Sequence, residues 1–235
     1  MKKLKKSNKC VVKRHKEMEQ CDMVIEVDSV SLTIKKQKIL DNVSLNCEEG
    51  KIYGLVGRNG SGKTMLMKCI CGFIKPDEGE IKVLGKKIGK DCDFAPDTGI
   101  IIETPGFIGH YSGFKNLKLL AGINRKINDD KIREIMEFVG LDPDMKKSVR
   151  KYSLGMRQRL GLAQAIMEDP KVLILDEPMN GLDKEGVADM RKYLLKLKES
   201  GKTILIASHS AEDIAVLCDE TREMEKGVLT GQEAI

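Results

Sequence analysis

Tryptophan is absent from this chain, and aromatic residues make up only 4% of it. With charged residues at 33%, that composition fits a soluble globular protein. No apolar stretch approaches the ~20 residues needed to span a bilayer. The N-terminus shows no uninterrupted apolar core of a secretory signal. Glu17 and Glu19 in its Lys-rich start argue against an organelle transit peptide, so the expected location is the cytoplasm. A disulfide framework is missing too. The seven cysteines, at positions 10, 21, 47, 69, 71, 92 and 218, are odd in number and scattered. Cys69 and Cys71 fall on an expected helix, where side chains two apart diverge, with no second Cys or His pair nearby. Reduced structural thiols are the expectation.

Positive charge is scarce where a nucleic-acid-binding face would need it. The net charge is +5, but residues 1–20 hold eight Lys/Arg against two Glu, so this stretch carries +6 and residues 21–235 carry −1. No nucleic-acid partner is expected from a body so near neutral. Residues 1–22 read as a basic, disordered extension in solvent. The competing reading is attraction to anionic lipid headgroups, worth roughly 1 kcal/mol per basic residue close to the surface.

What is present points to an alternating α/β protein. The length suits one well-buried domain with an inserted subdomain. Val24 to Ile34 reads as extended structure, Asp41-Asn42 as punctuation, and Val43 to Cys47 and Ile52 to Val56 as strands. A helix is predicted from Lys63 to about Cys71, ended by Gly72 and Pro76, and a strand over Glu80 to Leu84. Between about 105 and 165, helical spacing takes over, as in Asn116 to Ala121 and in Ile132, Ile135, Met136 and Val139. Strand Val172–Leu175, helix Glu185–Lys198, strand Thr203–Ala207 and helix Ala211–Leu217 complete the pattern. Near-continuous apolar strands alternating with helices imply a mainly parallel sheet covered on both faces.

Two motifs carry chemistry by their residue types. Gly57-Arg58-Asn59-Gly60-Ser61-Gly62-Lys63-Thr64 fits G-x-x-x-x-G-K-[ST] with a strand before and a helix after. Glycines let successive N–H groups turn inward as an anion nest at a helix start. Lys63 can reach β- and γ-phosphates, and the Thr64 hydroxyl can bind Mg²⁺. The apolar strand Val172–Leu175 drives Asp176 and Glu177 to its end. Asp176 suits Mg²⁺, directly or through water, and Glu177 can polarise an attacking water as general base.

A third element, Tyr152-Ser153-Leu154-Gly155-Met156-Arg157-Gln158, lies between them, and Gly161 to Met167 continues it as a helix. The order of all three resembles the ATP-binding-cassette (ABC) family, over about residues 23–235. The resemblance implies a P-loop cassette ATPase: a mainly parallel core sheet, antiparallel N-terminal strands and a helical subdomain at about 105–165. It also implies an active site divided between two chains, in which the Ser153 hydroxyl and Gly155 backbone bind the γ-phosphate held by the opposite chain. Asn180-Gly181-Leu182-Asp183 matches the family's D-loop, which puts Asp183 at the dimer interface. Ser208-His209 matches the switch histidine, which contacts the γ-phosphate and the catalytic Glu.

The departures are specific. Leu154 and Met156 replace the second and fourth residues of the usual Ser-Gly-Gly-Gln, a form similar to subunits associated with bacitracin and lantibiotic export or immunity. Glu103 stands where the family's Q-loop has Gln; it can accept from a Mg²⁺-bound water but lacks the amide donor. Ile34 holds the position that often stacks an aromatic ring on adenine. The resemblance therefore implies ATP and Mg²⁺ as cofactors, and a second ATPase subunit and an integral membrane permease as partners. The chain would sit at the inner face of the cell membrane through that permease. Soluble cassettes of Fe–S assembly or of nucleic-acid and ribosome transactions are the alternative.

Overall fold

A computed structural model of the chain describes residues 23–103 and 106–234, so the basic extension and its two cysteines lie outside the described residues. Strands β1 (Met23–Ile34), β2 (Gln37–Glu48), β4 (Glu78–Val83) and β5 (Lys86–Lys87) form a four-stranded sheet in the order β2-β1-β4-β5, antiparallel throughout. The second sheet has six strands. It contains β3 (Ile52–Val56), β6 (Thr98–Ile101), β7 (Val172–Asp176), β8 (Thr203–Ser208), β9 (Glu220–Glu225) and β10 (Val228–Ala234), in the order β10-β9-β3-β8-β7-β6. All its pairings are parallel except β10 against β9. Helix α1 (Lys63–Ile70) follows β3, and α5 (Lys184–Glu199) and α6 (Ala211–Leu217) flank β8. Between β6 and β7 the chain makes α2 (Gly113–Asn124), α3 (Asp129–Phe138) and α4 (Leu154–Ile166).

The six-stranded sheet is covered on both faces, and the strands show how. Leu173 and Leu175 of β7 and Ile204 and Ile206 of β8 join a core with the helices of the insertion and α5. Their neighbours Val172, Ile174, Leu205 and Ala207 enter a second core with α1 and the antiparallel sheet. Side chains alternate across a strand, so a strand buried on both faces must be apolar at every position. Each such Leu or Ile contributes about 1.5–3 kcal/mol by its removal from water.

Several boundaries differ from expectation, for physical reasons. β2 starts six residues before Val43 because Asp41-Asn42 is absorbed into an irregular ladder instead of ending it. Asn42 takes a left-handed φ of 49°, a conformation Asn visits readily. Its N–H donates to Ser31 Oγ at 3.1 Å, and Asp41 N–H donates to Gly227 O at 2.9 Å. The terminal hairpin β9–β10 lacks an apolar pattern; within β9 only Met224 is buried. Helix α4 begins at Leu154, where Ser153 caps it, so the signature forms the first turns of the helix that Gly161 continues.

Candidate active site

Strands β3, β7 and β8 deliver the candidate residues from their carboxyl ends. Between β3 and α1 the loop of residues 57–62 is held from two directions. Lys63 is nearly buried, and its Nζ donates to Gly57 O at 2.6 Å and Arg58 O at 3.2 Å. Gly57 lies so close to β9 that a Cβ would stand 2.3 Å from Met224 O. Gly62 caps α1 at φ 115° without a side-chain cap, and no acidic residue occupies the first turn. The first N–H groups of α1 thus stay open to an anion, the usual provision at a phosphate-binding helix start. Helices α4, α5 and α6 differ: Ser153, Asp183 and Ser210 cap them with their side chains.

At the end of β7, Asp176 is 8% exposed and accepts a 2.7 Å hydrogen bond from Thr64 Oγ1. Two oxygen-bearing side chains at that separation fit a hard divalent cation that takes its other ligands from phosphate and water. Among the described residues no group of three or more His, Cys, Asp or Glu could cage a metal, so such a cation would depend on the bound phosphates. Glu177 follows with a left-handed φ of 49°. Its N–H donates to Ala207 O at 2.9 Å, and its Oε2 meets His209 Nδ1 at 2.8 Å. Glu177 Oε1 and Ser61 Oγ are buried without a hydrogen-bond partner. Orphaned polar atoms in a glycine-lined cradle suit a polar ligand such as a nucleotide triphosphate with its cation.

A cavity of about 620 Å³ brings Asn59, Gly60, Ser61, Gly62, Lys63 and Thr64 together with Glu103, Asp176 and Glu177. Its far wall holds Leu154, Gln158, Asn180 and Gly181, four residues that motif reading did not place in this chain's own cavity. Gly57 and Arg58 stay outside the lining and act through their carbonyls. His209 lines an adjoining cavity of about 520 Å³, which shares Glu177, Asn180 and Gly181 with the first.

Ser153, Gly155 and Asp183 line neither cavity. Ser153 is exposed; its Oγ accepts from Met156 N–H at 3.2 Å and keeps its own proton to donate. Asp183 Oδ1 accepts from Gly186 N–H at 2.8 Å, the α5 cap. Glu103 lies on the cavity rim at φ 61°, mostly exposed, and pairs with Lys68 Nζ at 2.5 Å. Lys68 was legible in principle, since it follows Thr64 by four residues on one helix face. Ile34 sits half-exposed at the end of β1 away from the cavity, and Ile39 lines it instead.

Fold and site together define a nucleotide-binding α/β cassette. The family model described as ABC transporter matches residues 40–180. The chain is 45% identical over 212 residues to the uncharacterized ABC transporter ATP-binding protein YybJ of Bacillus subtilis (strain 168), covering 90% of this chain and 97% of that protein. It is 39% identical over 210 residues to the bacitracin transport ATP-binding protein BcrA of Enterococcus faecalis, covering 88% and 68%. Among solved structures, the dimeric post-hydrolysis state of the ATP-binding cassette MJ0796 bound to ADP and Pi superposes with a TM-score of 0.80 at 22% identity, over 89% of this chain and 98% of that one. This chain belongs to the ABC transporter family, as an ATP-binding ATPase subunit. No helix among the described residues is long and apolar enough to cross a membrane.

Proposed function

We propose that this chain pairs with a second cassette, identical or not, to sandwich two ATP–Mg²⁺ head to tail and power export of a peptide-like antibiotic. The contact of Glu177 with His209, next to the Thr64–Asp176 hydrogen bond, is the observation that carries the hydrolytic half of this reading. Lys63 and the open N–H groups at the start of α1 bind the phosphates. Thr64 and Asp176 would hold the cation, and Glu103, once released from Lys68, would accept from a water on it. Mg²⁺ held there would supply charge neutralisation to the phosphates. Glu177 accepts the proton of the attacking water, and His209 orients that carboxylate and contacts the γ-phosphate. Where the two cassettes are identical, the Ser153 hydroxyl and Gly155 backbone of one chain donate to the γ-phosphate held by the other, with the α4 dipole behind them. Asp183 fixes the start of α5 at the interface. Closure on ATP and reopening after hydrolysis supply the mechanical step.

A groove of about 590 Å³ between β6 and the insertion supports a membrane partner. Phe73, Ile102, Leu120 and Ile123 line it, and Ile123 is 75% exposed. Such a surface suits a cytoplasmic helix of an integral permease, which holds the subunit peripherally at the inner face of the cell membrane. The choice of cargo rests on the 39% identity to BcrA together with Leu154, Met156 and Glu103. Co-purification in detergent with a multi-span membrane protein, and ATP-driven movement of bacitracin by the pair in vesicles, test this reading. An active ATPase that retains a soluble partner and no membrane protein would instead favour the Fe–S or nucleic-acid cassettes.

A further inference from the structure

His209 stands on a two-residue connection between β8 and α6. The sheet fixes the β8 end, where Ser208 Oγ accepts from Ser210 N–H at 3.1 Å. The other end depends on how the first turn of α6 is held. Apolar contacts of Ile214 and Leu217 seat the later part of that seven-residue helix. Such contacts are non-directional and fix the angle of the first turn poorly. Ser210 Oγ caps that turn from within, accepting from Asp213 N–H at 3.3 Å, and the directional tie to the rest of the molecule comes from Arg191 on α5. Its Nε and Nη2 both donate to Asp213 Oδ1, at 2.8 and 2.5 Å, and its Nη1 donates to Glu212 Oε1 at 3.0 Å. Asp213 is 4% exposed, so its charge needs this partner, and the flat guanidinium fork fits two acceptors more rigidly than an ammonium does. The start of α5 is pinned in turn by the Asp183 cap, six residues beyond Glu177. Arg191 thus ties the helix that follows Glu177 to the helix that follows His209.

We propose that Arg191 is a positioning residue that, through Asp213, holds His209 against Glu177. This rests on the catalytic reading of that pair given above. A merely structural ion pair would stabilise the fold and leave the imidazole geometry alone. The two roles separate in experiment, because a misplacement of about 1 Å can cost up to ~100-fold in rate without loss of substrate binding. The test uses the full chain with Arg191→Lys, which keeps charge compensation for Asp213, and Arg191→Met as the more severe change. Only three histidines occur in the chain, so the ring nitrogen signals of His209 can be assigned by comparison with His209→Ala. Expected for Arg191→Lys is a His209 ring signal moved toward its position in Glu177→Gln, with kcat for ATP lowered ~10-fold and KM within about twofold. An unmoved His209 signal, or a moved one with unchanged kcat, overturns the proposal. Failure of the underlying reading shows separately, as normal hydrolysis by Glu177→Gln and His209→Ala.

Discussion

Thr64 Oγ1 lies 2.7 Å from Asp176 Oδ2, joining the first turn of α1 to the end of β7 across 112 residues of sequence. Each side chain supplies an oxygen where a phosphate-bound cation would sit. Asp176→Asn removes the negative charge and keeps the shape, so it should raise the Mg²⁺ concentration for half-maximal ATPase activity by about 10–100-fold. Thr64→Val should shift the same curve in the same direction. Mg²⁺ titration at saturating ATP checks both. Superposable curves for wild type and Asp176→Asn would remove Asp176 from the metal site.

Glu177 is held in a left-handed conformation with one carboxylate oxygen on His209 and the other unpartnered. Glu177→Gln keeps that shape and loses the proton acceptor. Turnover should fall by ~10²–10⁴-fold, the usual worth of a general base, while ATP binding persists. Size-exclusion chromatography with ATP and Mg²⁺ should then show an accumulated dimer. Rapid turnover by the variant would end the general-base assignment.

The sequence made the strands of the six-stranded sheet legible wherever both faces are buried. Val172–Asp176 and Thr203–Ser208 are apolar almost throughout, and no polar environment could accept them. It was silent on β9 and β10, because Glu220–Glu225 is a charged run that earns its place in the sheet by pairing with β3 through the backbone. At the site, glycine spacing located the phosphate loop, since backbone curvature is written in residue type. Contacts between elements distant in the chain left no such mark. Leu154, noticed as a departure from the usual signature, lies over Gly181, with its Cδ2 only 2.3 Å from where a Cβ at that glycine would be. Gln158 Nε2 reaches Asn180 O at 3.5 Å in the same contact. Nothing in periodicity or motif spacing predicts that meeting of signature helix and D-loop.

Ser153 and Gly155 stand outside the cavity that holds this chain's own Lys63. The divided site proposed above makes a counting prediction. Homodimers of Lys63→Ala and homodimers of Ser153→Ala should both be inactive, since each spoils both composite sites. Mixed chains should regain activity, because a heterodimer of the two places both lesions in one site and leaves the other intact. ATPase assays across mixing ratios should give a bell-shaped curve with its maximum near equal amounts. Full activity of the Ser153→Ala homodimer would contradict a shared site.

The buried thiols set a pH dependence of stability that is independent of catalysis. Burial pushes Cys69 up to about 11 and Cys71 and Cys218 up to about 12, and it raises Cys47 as well. In the unfolded chain these thiols ionise near pH ~8.5. Above that pH the folded state binds more protons than the unfolded one, so stability falls as pH rises. The contribution is fully present below about pH 8.5 and is lost progressively as pH rises through about 11 for Cys69 and about 12 for Cys71 and Cys218, at up to ~1.4 kcal/mol per pH unit for each thiol. Unfolding free energies from urea titrations, and the midpoints with them, should therefore decline between pH ~8.5 and pH ~10 by up to that slope for each thiol. Cys71→Ala should lower the midpoint at pH 8 slightly, by lost packing, and make the decline shallower by one thiol's share. A decline as steep in Cys71→Ala as in the wild-type chain would show that other groups set the alkaline limit.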